Sequence, residues 1–359
     1  MRTNTSRLPL VDAFKALAAQ LIILHHLAFY GPMSDFTQDI APATIFWLSE
    51  HARIAVQVFL VAGGFLAALG LAPAGQLLAT NPLSLLQKRY FKLVIPLFAA
   101  LLLSIFSAAI ARTLMTHSST PDVPTLAQFI AHVLLLQSIL GYDGLSAGVW
   151  YIAIDFQLFT LLLGTLWLAR YLGAGPNTTA IFGQLLVGAL ALSSLFFFNR
   201  DAAWDNWALY FFGSYALGVL ACWASNRKQA PALLLLLTAM VVTALLVDYR
   251  SRIAVALVVA MALGVARHTG FLGRWPKSPA IAWMGQISYS VFLVHFPVCL
   301  MINALFAHFA SSSPLLNLSG MFIAWAASIA AGALFYRLFE SRSSHLLQRT
   351  QLALLKLKP

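Results

Sequence analysis

Phe14-Lys15-Ala16-Leu17-Ala18-Ala19-Gln20-Leu21-Ile22-Ile23-Leu24-His25-His26-Leu27-Ala28-Phe29-Tyr30 is apolar enough for lipid and yet carries groups that lipid rejects. Asp12 precedes the run, Lys15 lies near its start, and two histidines sit deep inside it. An ionisable side chain within a bilayer is costly and ordinarily faces a protein interior or a water-filled space. Lys15 and His26 are three helical turns apart, about 16 Å along an α-helix. One membrane helix therefore holds a cation near one face and an imidazole at depth. His25 and His26 project about 100° apart around a helix axis, so one of them at most faces a given site. The stretch points to chemistry in, or passage through, a membrane.

Composition extends this reading to the whole chain. Its 359 residues are 60% hydrophobic and only 9% charged, with a mean hydropathy of +0.82. A soluble domain carries about 25% charged residues. The expected fold is all-α: a polytopic membrane protein with about ten transmembrane helices. Apolar stretches of about 20 residues cross a bilayer. They fall at 9–30, 43–69, 92–112, 149–169, 179–198, 204–223, 231–248, 252–267, 282–307 and 317–339. Residues 125–140 are apolar but short, contain Gln128 and His132, and follow Pro121 and Pro124. They read as one extra short interfacial or re-entrant helix. The start resembles a signal peptide, with Arg2 and Arg7 ahead of an apolar run, but no small-x-small cleavage site follows, so it reads as a retained first span. Residues 1–345 are expected to form a single integral-membrane domain, and 346–359 a short basic cytoplasmic tail.

Cytoplasmic loops of membrane proteins are rich in Lys and Arg. With the N-terminus inside, 17 of the 22 basic residues fall on the cytoplasmic side, leaving Arg53, Arg112, Arg200, Arg250 and Arg252 outside. Eight of the 11 acids fall outside: Asp35, Asp39, Glu50, Asp122, Asp143, Asp201, Asp205 and Asp248. Both termini are expected in the cytoplasm. The same asymmetry accounts for the net charge of +11 without nucleic acid, because the bases are spread over short loops. Cys222 and Cys299 lie in apolar segments and read as small buried hydrophobes. No internal repeat of the transporter kind is visible.

Three acids remain, Asp12, Asp155 and Glu340. Asp155 sits within the fourth span, where a carboxylate needs a cation, a donor or a proton. His26 is suited to a general base, a proton relay or a helix-packing hydrogen bond. His295 falls near the middle of the ninth span, two turns beyond Ser288 on the same face, with Pro297 beside it. Lys88, Arg89 and Lys92 end the second inner loop; they serve positive-inside anchoring or hold phosphates arriving from the cytoplasm. There is no P-loop or Gly-rich nucleotide fingerprint. Gly63 and Gly64 suit close helix packing. No metal site is expected, since adjacent histidines ligate one ion poorly and no Cys/His/Asp cluster has ligand spacing.

Taken in order, these motifs resemble the integral-membrane acyltransferase 3 family, over about residues 10–340. Its opening pattern, a basic residue, ten spacers and a histidine, matches Lys15 and His26, with Asp12 at the usual acidic position; this selects His26 over His25. A Val-Asp-x-Phe-Phe-x-x-Ser-Gly-Phe-like run is matched from Val56 to Phe65, with Gln57 for the common acid and Gly63 for the common serine. The basic motif is Arg89-x-x-Lys92 leading to Pro96. The Trp-x-Leu-x-x-Glu-x-Gln run is matched from Trp150 to Gln157, with Asp155 for glutamate. The late Ser-Tyr-x-x-Tyr-Leu-x-His run is Ser288-Tyr289 to His295, with Phe292 for the second tyrosine, and Tyr336 to Glu340 closes the pattern.

The resemblance implies an enzyme that moves an acyl group, acetyl above all, from cytoplasmic acyl-CoA to a hydroxyl of a carbohydrate or lipid-linked glycan. His26, Asp155, Lys15 and His295 are its expected catalytic set. Lys88, Arg89, Lys92, Trp150, Ser288 and Tyr289 would bind acyl-CoA, with acetyl-CoA the first donor expected. Asp12, Glu340 and Gly64 would be structural or orienting. A pantetheine arm of roughly 15–20 Å carries a thioester from the phosphates towards the bilayer centre. A bacterial inner membrane is the implied location. The chain closes shortly after Glu340, so it is expected to act alone or with a separate extracytoplasmic partner. The rival reading is a proton-coupled secondary transporter with His26, Asp155 and His295 as relay.

Overall fold

A computed structural model describes residues 7–78, 81–310 and 312–342. The basic tail expected at 346–359, and Arg2 with it, lies outside the described residues. Among these, ten helices are long and apolar enough to cross a membrane: Pro9–Phe29, Pro42–Leu71, Pro82–Leu114, Val149–Leu172, Pro176–Arg200, Ala208–Ser225, Ala230–Val247, Ser251–His268, Pro279–Phe309 and Pro314–Glu340. They are numbered here as spans one to ten. Each coincides with a segment expected from hydropathy, and the described residues contain no strand.

Three elements depart from uniform spans. Span two is a composite: helix Pro42–His51, a 3₁₀ turn Ala52–Ala55, then helix Val56–Leu71. Span three starts ten residues earlier than its apolar part, so Lys88, Arg89 and Lys92 stand on a helix and not in a loop. Local chemistry explains the extension. Pro82 is preorganised for the first helical position, and the Asn81 carboxamide accepts the Ser84 N–H at 3.3 Å. Span ten closes in a π-helical turn, Tyr336–Glu340.

The extra helix near 125–140 is Leu126–Val133, opened by a capping box in which Thr125 Oγ1 accepts the Gln128 N–H at 3.1 Å. It runs back along span three. Arg112 donates to the Pro121 carbonyl at 2.8 Å, the Phe98 and Phe129 rings lie 5.5 Å apart, and the Tyr90 hydroxyl donates to the Val133 carbonyl at 3.0 Å. From Arg112 to Tyr90 is about 33 Å of helix. The segment is therefore re-entrant. His132, fully buried, satisfies it internally: Nδ1 donates to the Gln128 carbonyl at 2.8 Å, and Nε2 accepts the Leu145 N–H at 3.0 Å.

The described chain divides into two compact units. One contains residues up to Ala18, Ile54–Leu86 and Ile154–Gln286; the other contains Ala19–Arg53, Gln87–Ala153 and the residues from Ile287 on. In the first, span six is the hub and packs against the Val56–Leu71 helix and spans five, seven and eight. Glycine makes the closest of these contacts. A Cβ on Gly64 would overlap the Tyr215 carbonyl, and one on Gly218 would overlap the Val61 carbonyl. In lipid, such backbone approach replaces the hydrophobic drive that joins helices in water. Gln57, at the position expected to be acidic, accepts a 2.7 Å hydrogen bond from Ser214. At one end of this unit, Asn199 joins two loops: its carboxamide oxygen accepts from Arg250 at 2.9 Å and its nitrogen donates to the Tyr210 carbonyl at 2.9 Å. Arg252 donates to the Asn199 carbonyl at 2.7 Å.

The second unit is built around spans nine and ten. Ile23, Leu27, Met33, Val291, Cys299 and Ala324 form its apolar centre. Asn303 clamps the turn after span one: its oxygen accepts the Met33 N–H at 3.0 Å and its nitrogen donates to the Tyr30 carbonyl at 3.3 Å. Both cysteines are buried free thiols, as expected.

Three outcomes are expected in thermal unfolding of the detergent-solubilised chain. Gly218→Val destabilises by about 1–3 kcal/mol through overpacking, whereas Gly70→Ala, with nothing near its added Cβ, leaves the melting temperature unchanged or slightly raised. Asn199→Ala leaves buried Arg250 and the Tyr210 carbonyl without this partner and costs about 1–3 kcal/mol.

Candidate active site

His26 and His295 meet in the second unit. Span one delivers His26 near its end, and span nine, continuous through Pro297, delivers His295 from its middle. They are 8% and 0% exposed, so each must find its partner in the protein. His26 Nδ1 lies 2.6 Å from His295 Nε2, with the ring planes 6° apart.

The partners of His295 fix the tautomers. Its Nδ1 faces the carbonyls of Phe292 at 2.8 Å and Val291 at 3.2 Å. A carbonyl only accepts, so Nδ1 carries the hydrogen. In a neutral imidazole Nε2 then holds a lone pair and accepts from His26 Nδ1–H. The proton of His26 is thereby placed on Nδ1, and its Nε2 is the basic nitrogen. A proton arriving at Nε2 makes an imidazolium whose charge is shared with His295 and reaches two backbone carbonyls. The arrangement orients a base as a carboxylate would, with neutral groups.

His25 is turned elsewhere. Its Nδ1 donates to the Leu48 carbonyl at 3.0 Å, its ring centroid is 4.9 Å from that of His26 and 5.7 Å from that of Phe29.

Span nine orders the rest of this unit along one axis. The Tyr289 hydroxyl donates to the Leu93 carbonyl at 3.0 Å, which sets the Lys92 end of span three level with Tyr289. Tyr289 precedes His295 by about 9 Å along the helix. Lys88 and Arg89 lie four and three residues before Lys92, so each neighbours it on the helix surface; both lysines are exposed and Arg89 is half-buried. Ser288 is buried, and its neighbour Ser290 donates to Glu340 Oε2 at 2.5 Å, which ties the π turn of span ten to span nine. Trp150 lies under the guanidinium of Arg53, 5.3 Å from its Cζ, and Tyr151 meets Phe292 edge-on at 5.5 Å.

Of the expected site residues, this unit contains His26, His295, Lys88, Arg89, Lys92, Trp150, Ser288, Tyr289 and Glu340. Lys15, Asp12, Asp155 and Gly64 belong to the other unit. There Asp155 is 7% exposed, and both its carboxylate and the Tyr215 ring lie within 4 Å of a Cβ built on Gly63. Asp12 packs against Gly285, and Gly64 against Tyr215. From sequence, Arg53 stands only as an outer charge, although a cation inside an apolar span is itself a signal. No group of three or more His, Cys, Asp or Glu suited to a metal occurs among the described residues.

No curated protein and no solved structure matches the chain significantly. The sequence model of the acyltransferase 3 family, an acyltransferase domain, matches residues 9–337. That match takes in both histidines, the basic face of span three and all but the end of the tenth span, and the chain belongs to the acyltransferase 3 family.

Proposed function

We propose that this membrane acyltransferase moves an acyl group, acetyl first among candidates, from acyl-CoA to a hydroxyl of a glycan, with His26 as general base. The tautomer-fixed pair of His26 and His295 carries the reading. It leaves one basic nitrogen, His26 Nε2, backed by His295 and two carbonyls. The acceptor O–H gives its proton to that nitrogen as its oxygen attacks the thioester carbonyl. The C–S bond breaks, and the CoA thiolate takes the proton from His26, which returns the base. Lys88, Arg89 and Lys92 suit the phosphates and adenylate end of CoA. Lys92 lies about 9 Å, and Lys88 about 15 Å, along the helix direction from His295, within reach of a pantetheine arm. The charge asymmetry of the loops supports a cytoplasmic N-terminus, with donor entry from the basic side, and a bacterial inner membrane is the proposed location.

Free CoA release from acetyl-CoA by the purified chain in nanodiscs tests this. His26→Ala should lower turnover by about 10²–10⁴-fold with acetyl-CoA affinity kept. Arg89→Ala should weaken affinity instead. His295→Phe should slow turnover with KM unchanged, and His295→Gln, whose amide oxygen can accept from His26, should restore part of the rate. Turnover should rise with pH to a plateau, since the base works deprotonated, and the rising limb should vanish in His26→Ala. Flux of a substrate driven by a pH gradient, with no turnover of acetyl-CoA or of longer or charged acyl-CoAs, would establish a transporter instead.

A further inference from the structure

Beyond His26 the chain turns at Gly31 and passes through the short helix Met33–Thr37 into span two. These segments line an open cavity of about 560 Å³, within the size range of small-molecule sites. Its wall includes Phe29, Asp35, Gln38, Phe46, Ser49 and Glu50.

The wall is built and not merely adjacent. Met33 is fully buried and held by Asn303, and Thr37 Oγ1 donates to the Met33 carbonyl at 2.8 Å. The Asp35 carboxylate lies over Gly31, where any side chain would displace it. Asp35 Oδ2 also meets His117 Nε2 at 2.9 Å. His117 Nδ1 accepts the Ser119 N–H at 3.1 Å, so its Nε2 is the nitrogen that donates to Asp35. The bond orients the Asp35 carboxylate.

The chemistry of this wall selects a ligand class. Two carboxylates repel phosphate, sulfate and uronate groups. They accept strongly from hydroxyls, and the Gln38 amide both donates and accepts. Phe29 and Phe46 are 56% and 64% exposed, leaving ring surface for the C–H face of a pyranose. Carboxylates, an amide and aromatic rings in one cavity suit an uncharged saccharide.

Position gives the cavity its role. Ala28 and Phe29, both in its wall, lie within one helical turn of the histidines. Along span nine, Tyr289 marks the basic end and Asn303 the cavity end, with His295 between them. From His295 to Asn303 is about 12 Å. We infer that this cavity is the acceptor site, that it takes the ring of an uncharged saccharide, and that Asp35 and Glu50 exclude anionic ones. The word acceptor rests on the transfer proposed above; the saccharide chemistry does not. The ring could belong to a soluble or polymeric saccharide or to a lipid-linked one.

Cysteine protection tests the inference on the full chain in nanodiscs. Both native cysteines are buried, so Ser49→Cys is a unique reporter for a charged thiol reagent, with Phe46→Cys as a second and exposed Thr113→Cys as the control. Neutral oligosaccharides, an oligouronide and a polyprenyl-phosphate-linked monosaccharide are the probes. Neutral sugar should slow labelling at 49 and 46 and not at 113. Glu50→Gln should raise the concentration for half-protection about tenfold, the loss expected for a hydrogen bond to a charged group. Protection by the lipid-linked probe alone, or by soluble sugar alone, supports the site and names its source. No protection by either, or equal protection by the oligouronide, overturns it. Acyl transfer to a sugar that leaves both reporters unprotected overturns the site and keeps the acyltransferase reading. Protection without any acyl-CoA turnover keeps the site and overturns that reading.

Discussion

Hydrocarbon offers no hydrogen bonds, so a polar group within a membrane helix must be satisfied by the protein itself. In this chain the demand falls hardest on His26, and His295 meets it. Their bond constrains more than a pair of side chains. It fixes the azimuth of span one against span nine, because a rotation of either helix by one residue would point a histidine away. It also fixes which nitrogen of His26 carries a proton. The packing requirement and the chemical requirement are met by one contact.

Span nine extends that constraint in both directions. Below His295, Tyr289 is bonded to the backbone of span three, and Ser290 to Glu340 in the π turn of span ten. Above it, Asn303 holds the turn that follows span one. Side chains of one helix thus set the height of the basic face, the histidines and the cavity. A helix shift that opened one of these places would strain the bonds at the others.

The spans were legible because lipid imposes a length and an apolar composition, and those are properties of local sequence. His26 and His295 are legible as polar groups that lipid should exclude, the basic residues as inner-loop anchors or phosphate ligands, and the family pattern selects His26 over His25. What sequence could not supply was pairing. Nothing in residues 288–297 says that His295 meets His26, because that depends on the azimuths of two helices far apart in the chain. The height of Lys88, Arg89 and Lys92 was misread as a loop because charge masked helix propensity, while the Asn81–Pro82 start signal was present. The re-entrant course of Leu126–Val133 was one of two options left open. Its Thr125–Gln128 capping box marked the helix, but only the Tyr90 and Phe98 contacts set its depth.

Charge sorting gives the loops a second meaning. On the topology expected from sequence, bases gather on one side and acids on the other; that is read first as an orientation signal, which requires only numbers of Lys and Arg near span ends. It does not require Asp35 to be held over a glycine by a histidine, nor Glu50 to share a cavity with two aromatic rings. Those are costs of placement that orientation alone does not explain. If a phosphate-rich donor approaches a basic face and a hydroxyl-rich acceptor approaches an acidic cavity, the same asymmetry keeps each substrate from the other's end. The histidine pair then stands where both can reach, and the polarity that threads the chain through the bilayer also separates the two halves of its reaction.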